Sequence, residues 1–336
     1  MLVLSGDIGG TNTRLQIAEI DAGNQLTVIS REEFFSASSP NFISLLYQFI
    51  ETTNISPSEL NAACFAIAGP IVEQQVQCTN LPWVISANNI HNKLKINHVK
   101  LINDFQAIGH GIQHISADDY ETLQAGTEVT NGPKAYVGAG TGLGMGMMNS
   151  IDNTYQVQAS EGGHIDFSPT DDEQAALLVY LRKKLHRVST ERIVSGIGLI
   201  NIYKYAKENP IYGEQENPEL KHLLFQKECA SYITEYAIQY QDPLAMRTLD
   251  IFIKAYGSCV GNLALTTLPT GGLYIVGGIA PKLLPQLNDG RFMQALTDKG
   301  RISKVLQNIP VKVVLNGDIG ITGAAHHGAT IAASMS

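Results

Sequence analysis

The chain has 336 residues, enough for two domains with a large buried core. Hydrophobic residues make up 44% and charged residues 16%, which is typical of a folded enzyme and excludes a disordered chain. The net charge of −8 argues against a nucleic-acid-binding surface, and the four scattered cysteines form no C-x-x-C pair that would indicate zinc. The chain shows neither a signal-peptide pattern nor an apolar run of about 20 residues, so we expect a cytoplasmic protein with no membrane partner.

The first predicted unit is a strand, a glycine-rich turn and a second strand. Residues 2–20 read LVLSGDIGGTNTRLQIAEI, with an apolar run before the turn and a period-2 alternation after it. Glycines let backbone N–H groups approach an anion, and Asp7 suits a magnesium ion held between its carboxylate and a phosphate. This interpretation makes the turn a Mg-nucleotide site; the alternative is a tight polar hairpin without a ligand.

Further strands and a helix follow. Residues 25–34, 62–67 and 98–102 predict strands, and Asn41 is expected to cap a helix whose apolar residues recur at i, i+3, i+4 and i+7. The only tryptophan, Trp83, lies on a polar loop. Its ring is expected either to line a sugar pocket or to anchor the loop in the core.

Asn103 and Asp104 follow the strand 98–102 at its carboxyl end, where α/β folds bind ligands. An aspartate there can accept a proton from a hydroxyl during phosphoryl transfer. It can equally cap the helix that begins at Phe105. The adjacent asparagine offers a donor and an acceptor to a sugar hydroxyl, which favours the functional interpretation.

A second strand-turn-strand unit opens the other half of the chain. Residues 134–148 enter and leave a Gly/Thr turn around Thr141, and a Gly-Gly pair follows the predicted strand 273–276. Repetition of one supersecondary unit predicts two similar halves that grip a nucleotide between them.

Helices are predicted to fill the rest of this half. Thr170 to Glu173 has the pattern of a capping box, and Ser189 is expected to begin another helix. Residues 218–240 are predicted as helix, and Pro243 is expected to start a long one.

The small, Ala-rich tail at 323–335 is expected to pack as a helix against the first domain, because nothing else would bury it. The predicted division is therefore a small α/β domain of residues 1–110 plus about 320–336, and a larger α+β domain of residues 111–319.

Three further side chains could carry chemistry. Glu161 and His164 flank two glycines, and a carboxylate with an imidazole can bind adjacent hydroxyls of a polyol. Metal ligation and a satisfied structural histidine are the alternatives. Glu191, in the first turn of its predicted helix, is best explained by the helix dipole.

The sequence resembles the bacterial glucokinases, nearly end to end and in order. That family belongs to the actin/hexokinase/Hsp70-like group of ATP-binding folds, so the resemblance implies an α/β two-domain actin-like ATPase (ribonuclease H-like) fold with the active site in the cleft. The motifs that carry it are Gly6–Leu15 (GDIGGTNTRL), Ala66–Ile71 (AIAGPI), Thr79–Trp83 (TNLPW), Ile102–Phe105 (INDF), Gly138–Gly144 (GAGTGLG), Glu161–Phe167 (EGGHIDF), Glu191–Gly196 (ERIVSG) and Gly277–Pro281 (GGIAP).

The resemblance implies ATP-dependent phosphorylation of the glucose 6-hydroxyl, with Asp104 as the catalytic base, by a homodimer that uses Mg²⁺ with ATP. It implies glucose contacts from Asn103, Asp104, Glu161, His164 and Glu191. The implied ATP contacts are Gly6, Asp7, Ile8, Gly9, Gly10, Thr11, Gly140, Thr141, Gly142, Gly277 and Gly278. The sister family of repressor-and-kinase proteins often carries a zinc-binding cysteine cluster after the histidine, which this chain lacks, so no structural zinc is expected.

A competing hypothesis is a non-catalytic or ATPase relative on the same fold, such as a filament former or a sugar-sensing repressor. A repressor needs a helix-turn-helix segment, whereas the first predicted strand starts at residue 2. A filament former needs neither the Asn103–Asp104 pair nor the Glu161–His164 motif.

Overall fold

The computed structural model describes residues 1–78, 81–209 and 216–335, and Thr79 and Asn80 of the resemblance motif lie outside them. The chain forms two compact units. Unit 1 contains Met1–Asp118, Val157–Ala159 and Asn316–Ser336, and unit 2 contains Asp119–Gln156 and Ser160–Leu315.

Unit 1 is built on a five-stranded sheet. From one edge to the other its strands are β3 (Leu26–Phe35), β2 (Asn12–Ile20), β1 (Leu2–Ile8), β4 (Ala62–Ile67) and β7 (His98–Asn103). The first three strands are antiparallel neighbours, and β1, β4 and β7 run parallel. The carboxyl ends of β1 and β7 therefore lie at the same edge of the sheet, which brings the first glycine turn and Asn103 to that edge.

Alternation along the strands gives this sheet two buried faces. Leu4 faces a cluster with Phe42, Phe65 and Trp83, whereas its neighbour Val3 faces small residues on the other side. The first face is covered by the helices α1 (Phe42–Glu51) and α2 (Ala87–Leu94), and a two-stranded sheet of β5 (Gln75–Gln77) and β6 (Val84–Ser86) lies nearby in the chain.

Asn41 caps α1 as the sequence predicted, since its Oδ1 accepts a hydrogen bond of 2.9 Å from the Ser44 N–H. Trp83 is 1% exposed and its indole N–H donates to the Ser39 carbonyl at 3.2 Å. Of the two interpretations for Trp83, the structure shows the core anchor.

The other face is covered by α3 (Asp104–Ile112) and α12 (Ile319–Met335), which cross at glycines. A Cβ on Gly323 would lie 1.9 Å from the Ala107 carbonyl oxygen, and one on Gly111 would lie 2.1 Å from the Ile319 carbonyl oxygen. Only glycine permits so close an approach of two helix backbones. The small residues of the tail therefore let α12 pack tightly on α3.

Unit 2 is built on a six-stranded sheet, although Val157–Ala159 of one edge strand belong to unit 1, and this sheet repeats the central order of the first. Its strands are β11 (Thr154–Ser160), β10 (Leu143–Ile151), β9 (Lys134–Ala139), β12 (Leu273–Val276), β13 (Val311–Val314) and β8 (Tyr120–Gln124). As in unit 1, an antiparallel hairpin precedes two parallel strands. The carboxyl ends of β9 and β12 thus share one edge, which carries the second and third glycine turns.

Helices bury this sheet. The longest, α8, runs from Pro243 as predicted, and its Phe252, Tyr256 and Val260 side chains are fully buried against the core of the unit. In the described part of unit 2 the α-helices are α4 (Asp172–Leu185), α5 (Gly196–Lys207), α6 (Pro218–Gln226), α7 (Ala230–Ile238), α8 (Pro243–Thr267), α9 (Leu284–Leu287), α10 (Arg291–Thr297) and α11 (Ser303–Leu306).

Three local predictions were wrong. The cap of α4 is Asp171, which accepts from the Gln174 N–H at 2.7 Å, so the Thr170 to Glu173 capping box does not form. The stretch 218–240 contains two helices, because the chain is extended at Lys227. The helix expected from Ser189 is a single 3₁₀ turn, Thr190–Arg192.

Candidate active site

The first glycine turn is short and is supported by the end of β3. Gly9 N–H donates to the Asn12 carbonyl at 2.9 Å, which closes the turn between β1 and β2. The Ser36 N–H donates to the Thr11 carbonyl at 2.8 Å, and the Ser36 hydroxyl donates to the Gly9 carbonyl at 2.9 Å. Gly10 and Thr11 are exposed at the tip, where their backbone can meet a ligand.

The residues from Gly6 to Thr11 that were predicted to contact ATP fall into two groups, those within β1 and those in the turn. Gly6 and Ile8 belong to β1, which pairs on both sides, and the Ile8 side chain is 3% exposed within the core. A Cβ on Gly6 would lie 2.8 Å from Leu15 Cδ2 and 2.9 Å from Phe65 Cδ1, so core packing explains this glycine.

Asp7 is held by an arginine of the next strand. Arg14 donates to Asp7 Oδ2 at 2.5 Å, and it also donates to Asp318 Oδ1 at 3.0 Å and to the Gly317 carbonyl at 3.1 Å. Burial opposes the charge of Arg14, but the hydrogen bond and charge of Asp7 outweigh it and raise the pKa of the guanidinium. The carboxylate at this turn is therefore oriented by the guanidinium.

Asn103 and Asp104 both take part in the start of α3. Asn103 is the N-cap, and its Oδ1 accepts from the Phe105 N–H at 2.9 Å; the same N–H also lies 2.9 Å from Asp104 Oδ1. Gln106 completes the capping box by accepting from the Asn103 N–H at 3.2 Å. The helix cap thus fixes the position of the Asp104 carboxylate at the end of β7.

The second glycine turn is tied to the start of α5. Gly140 N–H donates to the Gly142 carbonyl at 2.9 Å, and Gly196 N–H donates to the Gly140 carbonyl at 2.8 Å. Thr141 is exposed at the tip of this turn. Its exposed backbone and hydroxyl are available to an anion.

The third glycine turn lies against the end of β9. Gly277 has a φ of +86°, and a Cβ there would lie 2.7 Å from the Ala139 carbonyl oxygen, so both the backbone conformation and the space require glycine. The Ile279 N–H donates to that same carbonyl at 3.3 Å. This contact places Gly277 and Gly278 beside the second turn.

The two turns of unit 2 line one cavity of about 400 Å³. Of the predicted nucleotide contacts, Gly140, Thr141 and Gly278 line it. Sequence reasoning missed the rest of the wall, which comes from α5, α7 and the segment after β12, and whose polar side chains are those of Asn201, Lys204, Glu228, Cys229, Ser231, Thr234 and Lys282. Helical side chains of this kind carry no motif, so no local signal marks them.

Glu161 and His164 lie side by side on an exposed 3₁₀ turn, Gly162–His164. Their side chains are 85% and 60% exposed, and Glu161 Oε2 is 3.8 Å from His164 Nε2. The exposure excludes a buried structural histidine. A Cβ on Gly163 would lie 1.9 Å from the Leu143 carbonyl oxygen, so this turn packs directly on the residue that ends the second glycine turn.

Glu191 reaches the same residue from another direction. Its Oε2 accepts a hydrogen bond of 3.0 Å from the Leu143 N–H, although the two residues are 48 positions apart. Because Glu191 belongs to a 3₁₀ turn and bonds a remote backbone amide, the helix-dipole interpretation from the sequence does not describe its role. Leu143 therefore lies between the Glu161–His164 turn and Glu191.

Among the described residues, no three His, Cys, Asp or Glu side chains are placed to hold a metal ion. No helix in the described part of the chain combines the length and the hydropathy that spanning a membrane requires.

Comparison with known proteins places this chain in a family. The model of the family described as Glucokinase matches residues 4–331. The chain belongs to the glucokinase family. Its curated relatives include the glucokinases of Trichormus variabilis, 42% identical over 96% of this chain and 98% of the relative, and of Cronobacter sakazakii, 33% identical over 96% of each. The expected membership of the bacterial glucokinases is confirmed, and the chain therefore belongs to a family of enzymes.

Solved structures of glucokinases share the fold. A glucokinase from an Antarctic psychrotroph superimposes with a TM-score of 0.85 at 30% identity, covering 98% of this chain and 99% of that one. A ROK family glucokinase from Streptomyces griseus, solved in complex with glucose and AMPPNP, superimposes with a TM-score of 0.63 at 19% identity. The match covers 98% of this chain and 100% of that one. The chain thus has the α/β two-domain fold of sugar kinases.

Proposed function

We propose that this protein phosphorylates D-glucose with ATP to give D-glucose 6-phosphate, the first step of glycolysis. Membership of the glucokinase family supports the activity. The observation that carries the proposal is the arrangement around Leu143, where one residue of a glycine turn is contacted by the Glu161–His164 turn and by Glu191. This arrangement joins predicted phosphate-binding backbone to predicted sugar-binding side chains within unit 2.

The nucleotide is proposed to bind along the glycine turns. In unit 2, backbone N–H groups around Thr141 and Gly278 would hold phosphates, and the cavity of about 400 Å³ would take the base and ribose. For the turn around Gly10 in unit 1, a phosphate contact is proposed from the family resemblance. The repeated order of antiparallel and parallel strands in the two sheets supports the actin-like ATPase (ribonuclease H-like) assignment. The Streptomyces griseus relative was solved with an ATP analogue and glucose, which supports this pair of substrates.

The magnesium ion that accompanies ATP would be held through water by Asp7. Its carboxylate is half-buried beside the turn and fixed through Oδ2 by Arg14, which leaves the other oxygen to accept from a metal-bound water. The ion supplies charge neutralisation for the transferred phosphoryl group. No zinc is expected.

The sugar is proposed to be fixed by Asn103, Glu161, His164 and Glu191. Carboxylates accept from hydroxyls, and the amide and imidazole can both donate and accept, so each of these groups can bind a hexose hydroxyl. A glucokinase of Balamuthia mandrillaris, with a TM-score of 0.74 at 21% identity, was solved in complex with glucose. Orientation of the ring is what leaves one hydroxyl to react.

Asp104 is proposed as the general base. As the 6-hydroxyl oxygen forms its bond to the γ-phosphorus, the bond from that phosphorus to the ADP oxygen breaks, and the hydroxyl proton passes to the Asp104 carboxylate. The cap of α3 holds this carboxylate in place before substrates arrive. Positioning of this kind is the main contribution a protein makes to phosphoryl transfer.

Asp104→Asn tests the base without disturbing the cap, because the asparagine oxygen still accepts from the Phe105 N–H. We expect kcat to fall roughly 10²-fold or more with little change in the KM for glucose, the usual weight of a general base. Asp171→Asn is the control, since Asp171 also accepts from a backbone N–H at the start of a helix and lies outside the proposed site. Near-normal turnover by Asp104→Asn would remove Asp104 from the mechanism.

A coupled assay with ATP, Mg²⁺ and a panel of hexoses tests the activity itself. Turnover of glucose excludes the filament-former and repressor hypotheses, whereas a purified protein that phosphorylates no hexose would contradict the proposal. A homodimer in the cytoplasm is proposed from the family resemblance, and sedimentation of the purified protein would measure the oligomeric state.

A further inference from the structure

The contact between Glu191 and the second glycine turn is specific to one carboxylate oxygen. Oε2 accepts from the Leu143 N–H at 3.0 Å, and no bond of Oε1 is seen among the described residues. A hydrogen bond from a backbone amide to an ionised carboxylate is stronger than one between neutral groups. Glu191 thus anchors the turn and retains an oxygen for another partner.

Gly142 is the residue that makes this contact possible. A Cβ on Gly142 would lie 2.5 Å from Glu191 Oε2 and 3.3 Å from its Cδ. The φ of Gly142 is outside the positive range that favours glycine, so the bend of the turn does not require it. A Cβ on Gly140, two residues earlier in the same turn, would meet no atom within 4 Å. Gly142 is therefore explained by the approach of the carboxylate.

The segment that carries Glu191 is itself fastened to the turn. The Ser195 hydroxyl donates to the Glu191 carbonyl at 2.6 Å and accepts from the Gly198 N–H at 3.0 Å, which holds the 3₁₀ turn against the start of α5. Gly196 N–H then donates to the Gly140 carbonyl at 2.8 Å. Residues 191–196 and 140–143 thus meet at two separate hydrogen bonds.

We propose that Glu191 is a positioning residue that couples sugar binding to nucleotide binding through Leu143 and Gly142. This inference rests on the proposed function, in which Glu191 contacts glucose and the turn contacts the triphosphate. A sugar hydroxyl that binds the Glu191 carboxylate fixes the hydrogen bond between this carboxylate and the Leu143 N–H. The second glycine turn is then held in the conformation that binds the nucleotide. Coupling of two sites is reciprocal, so the nucleotide must also tighten glucose binding.

The experiment is calorimetric titration of glucose in the absence and presence of saturating Mg²⁺ and a non-hydrolysable ATP analogue. For the natural chain we expect the analogue to lower the Kd for glucose at least 5-fold, the lower end of common coupling. In Gly142→Ala the new methyl group displaces the carboxylate. We expect glucose alone to bind about tenfold more weakly and the analogue to change its Kd less than twofold, an order-of-magnitude expectation for one lost charged contact.

Gly140→Ala is the matched control, because it places the same methyl group in open space in the same turn. We expect it to change nucleotide binding only, with the Kd for glucose alone within about twofold of that of the natural chain and the coupling retained. Equal coupling in Gly142→Ala and Gly140→Ala would overturn the inference.

Two substitutions of the carboxylate itself provide a second test if Gly142→Ala folds poorly. Glu191→Gln keeps the reach and an oxygen that accepts from the Leu143 N–H, whereas Glu191→Asp keeps the charge but is one methylene shorter. We expect coupling to persist in Glu191→Gln and to be lost in Glu191→Asp, and the reverse order would overturn the inference. If the natural chain binds no glucose, the proposed function fails; if it binds both ligands without coupling, only this inference fails.

Discussion

The two strand-turn-strand units look alike in sequence, but their turns are supported in different ways. The first turn is held by its own hairpin and by Ser36, all within residues 7–36 except for Gly317 and Asp318, which accept from Arg14. The second turn is held by three segments that come later in the chain, at Gly163, at Glu191 to Gly196 and at Gly277.

This difference shows how similar motifs can depend on different parts of a protein. The first turn is an almost local structure, stabilised by an ion pair between adjacent strands. The second is a meeting point of remote backbone segments, so its shape depends on the packing of the whole unit. Substitutions far along the chain should therefore disturb the second turn more than the first.

The largest expected effect is that of Gly163→Ala, which disrupts the packing of the Gly162–His164 turn against the second glycine turn. The added Cβ would lie 1.9 Å from the Leu143 carbonyl oxygen, and backbone cannot yield as a flexible side chain does. We expect a loss of about 3 kcal/mol in the free energy of unfolding, the upper range for overpacking. Chemical denaturation measures it.

Gly140→Ala is the control for that substitution, with an expected loss of stability within about 1 kcal/mol, since its Cβ meets nothing and only the turn residue changes. If Gly163→Ala were as stable as Gly140→Ala, the second turn would not depend on remote support.

A smaller effect is expected from Arg14→Met, which removes the ion pair of the first turn. Asp7 and Asp318 lose their shared partner, and because Arg14 is only partly buried we expect a loss of about 1.5 kcal/mol. Asp7 also loses its orientation, so titration should show severalfold weaker binding of Mg-ATP. Arg31→Met is the control, because Arg31 pairs with Asp318 and not with Asp7; equal nucleotide affinities in the two variants would contradict the role of Arg14.

The smallest expected effect is on the pH dependence of stability. It distinguishes the helices that cover the sheet of unit 1, which carry stacked histidines, from the helix α8 of unit 2. In unit 1, His114 stacks on His326 with ring centroids 3.5 Å apart, and His110 stacks on His327 at 4.1 Å. Burial, and to a smaller extent the charge of His114, lowers the pKa of His326 to about 4. Burial, and to a smaller extent the charge of Lys100, lowers the pKa of His327 to about 4. The helix α8 of unit 2 carries no histidine.

A depressed folded-state pKa means that the unfolded chain binds more protons at mildly acid pH. The stability contributed by neutral His326 is fully present above the unfolded-state pKa of about 6.5, and it is lost as the pH falls from there toward 4. For His326→Gln we expect the loss between pH 7 and pH 5 to be smaller than in the natural chain, by on the order of 1 kcal/mol.

Calorimetric unfolding at the two pH values measures this difference. His222→Gln, at an exposed helical histidine of unit 2, is the control and should leave the pH dependence unchanged. Identical slopes for His326→Gln and the natural chain would show that the stacked histidines do not make unit 1 the more acid-sensitive unit.

The sequence predicted the elements whose signals are local. Asn41 as a cap, the long helix from Pro243 and the strands around both glycine turns are confirmed, because capping, proline and hydrophobic periodicity act over a few residues. The capping box at Thr170 failed, since Asp171 beside it is an equally good cap. The family, too, could be identified from ordered motifs alone.

The sequence by itself therefore determined the family, the glycine turns and most of the strands and helices. Only the tertiary structure decided that Glu191 bonds Leu143, that Gly6 is a packing glycine and that Trp83 belongs to the core. The reason is physical: a side chain's remote partner depends on how the sheets and helices pack, and the same residue type in the same local pattern can face a ligand, a backbone amide or the core.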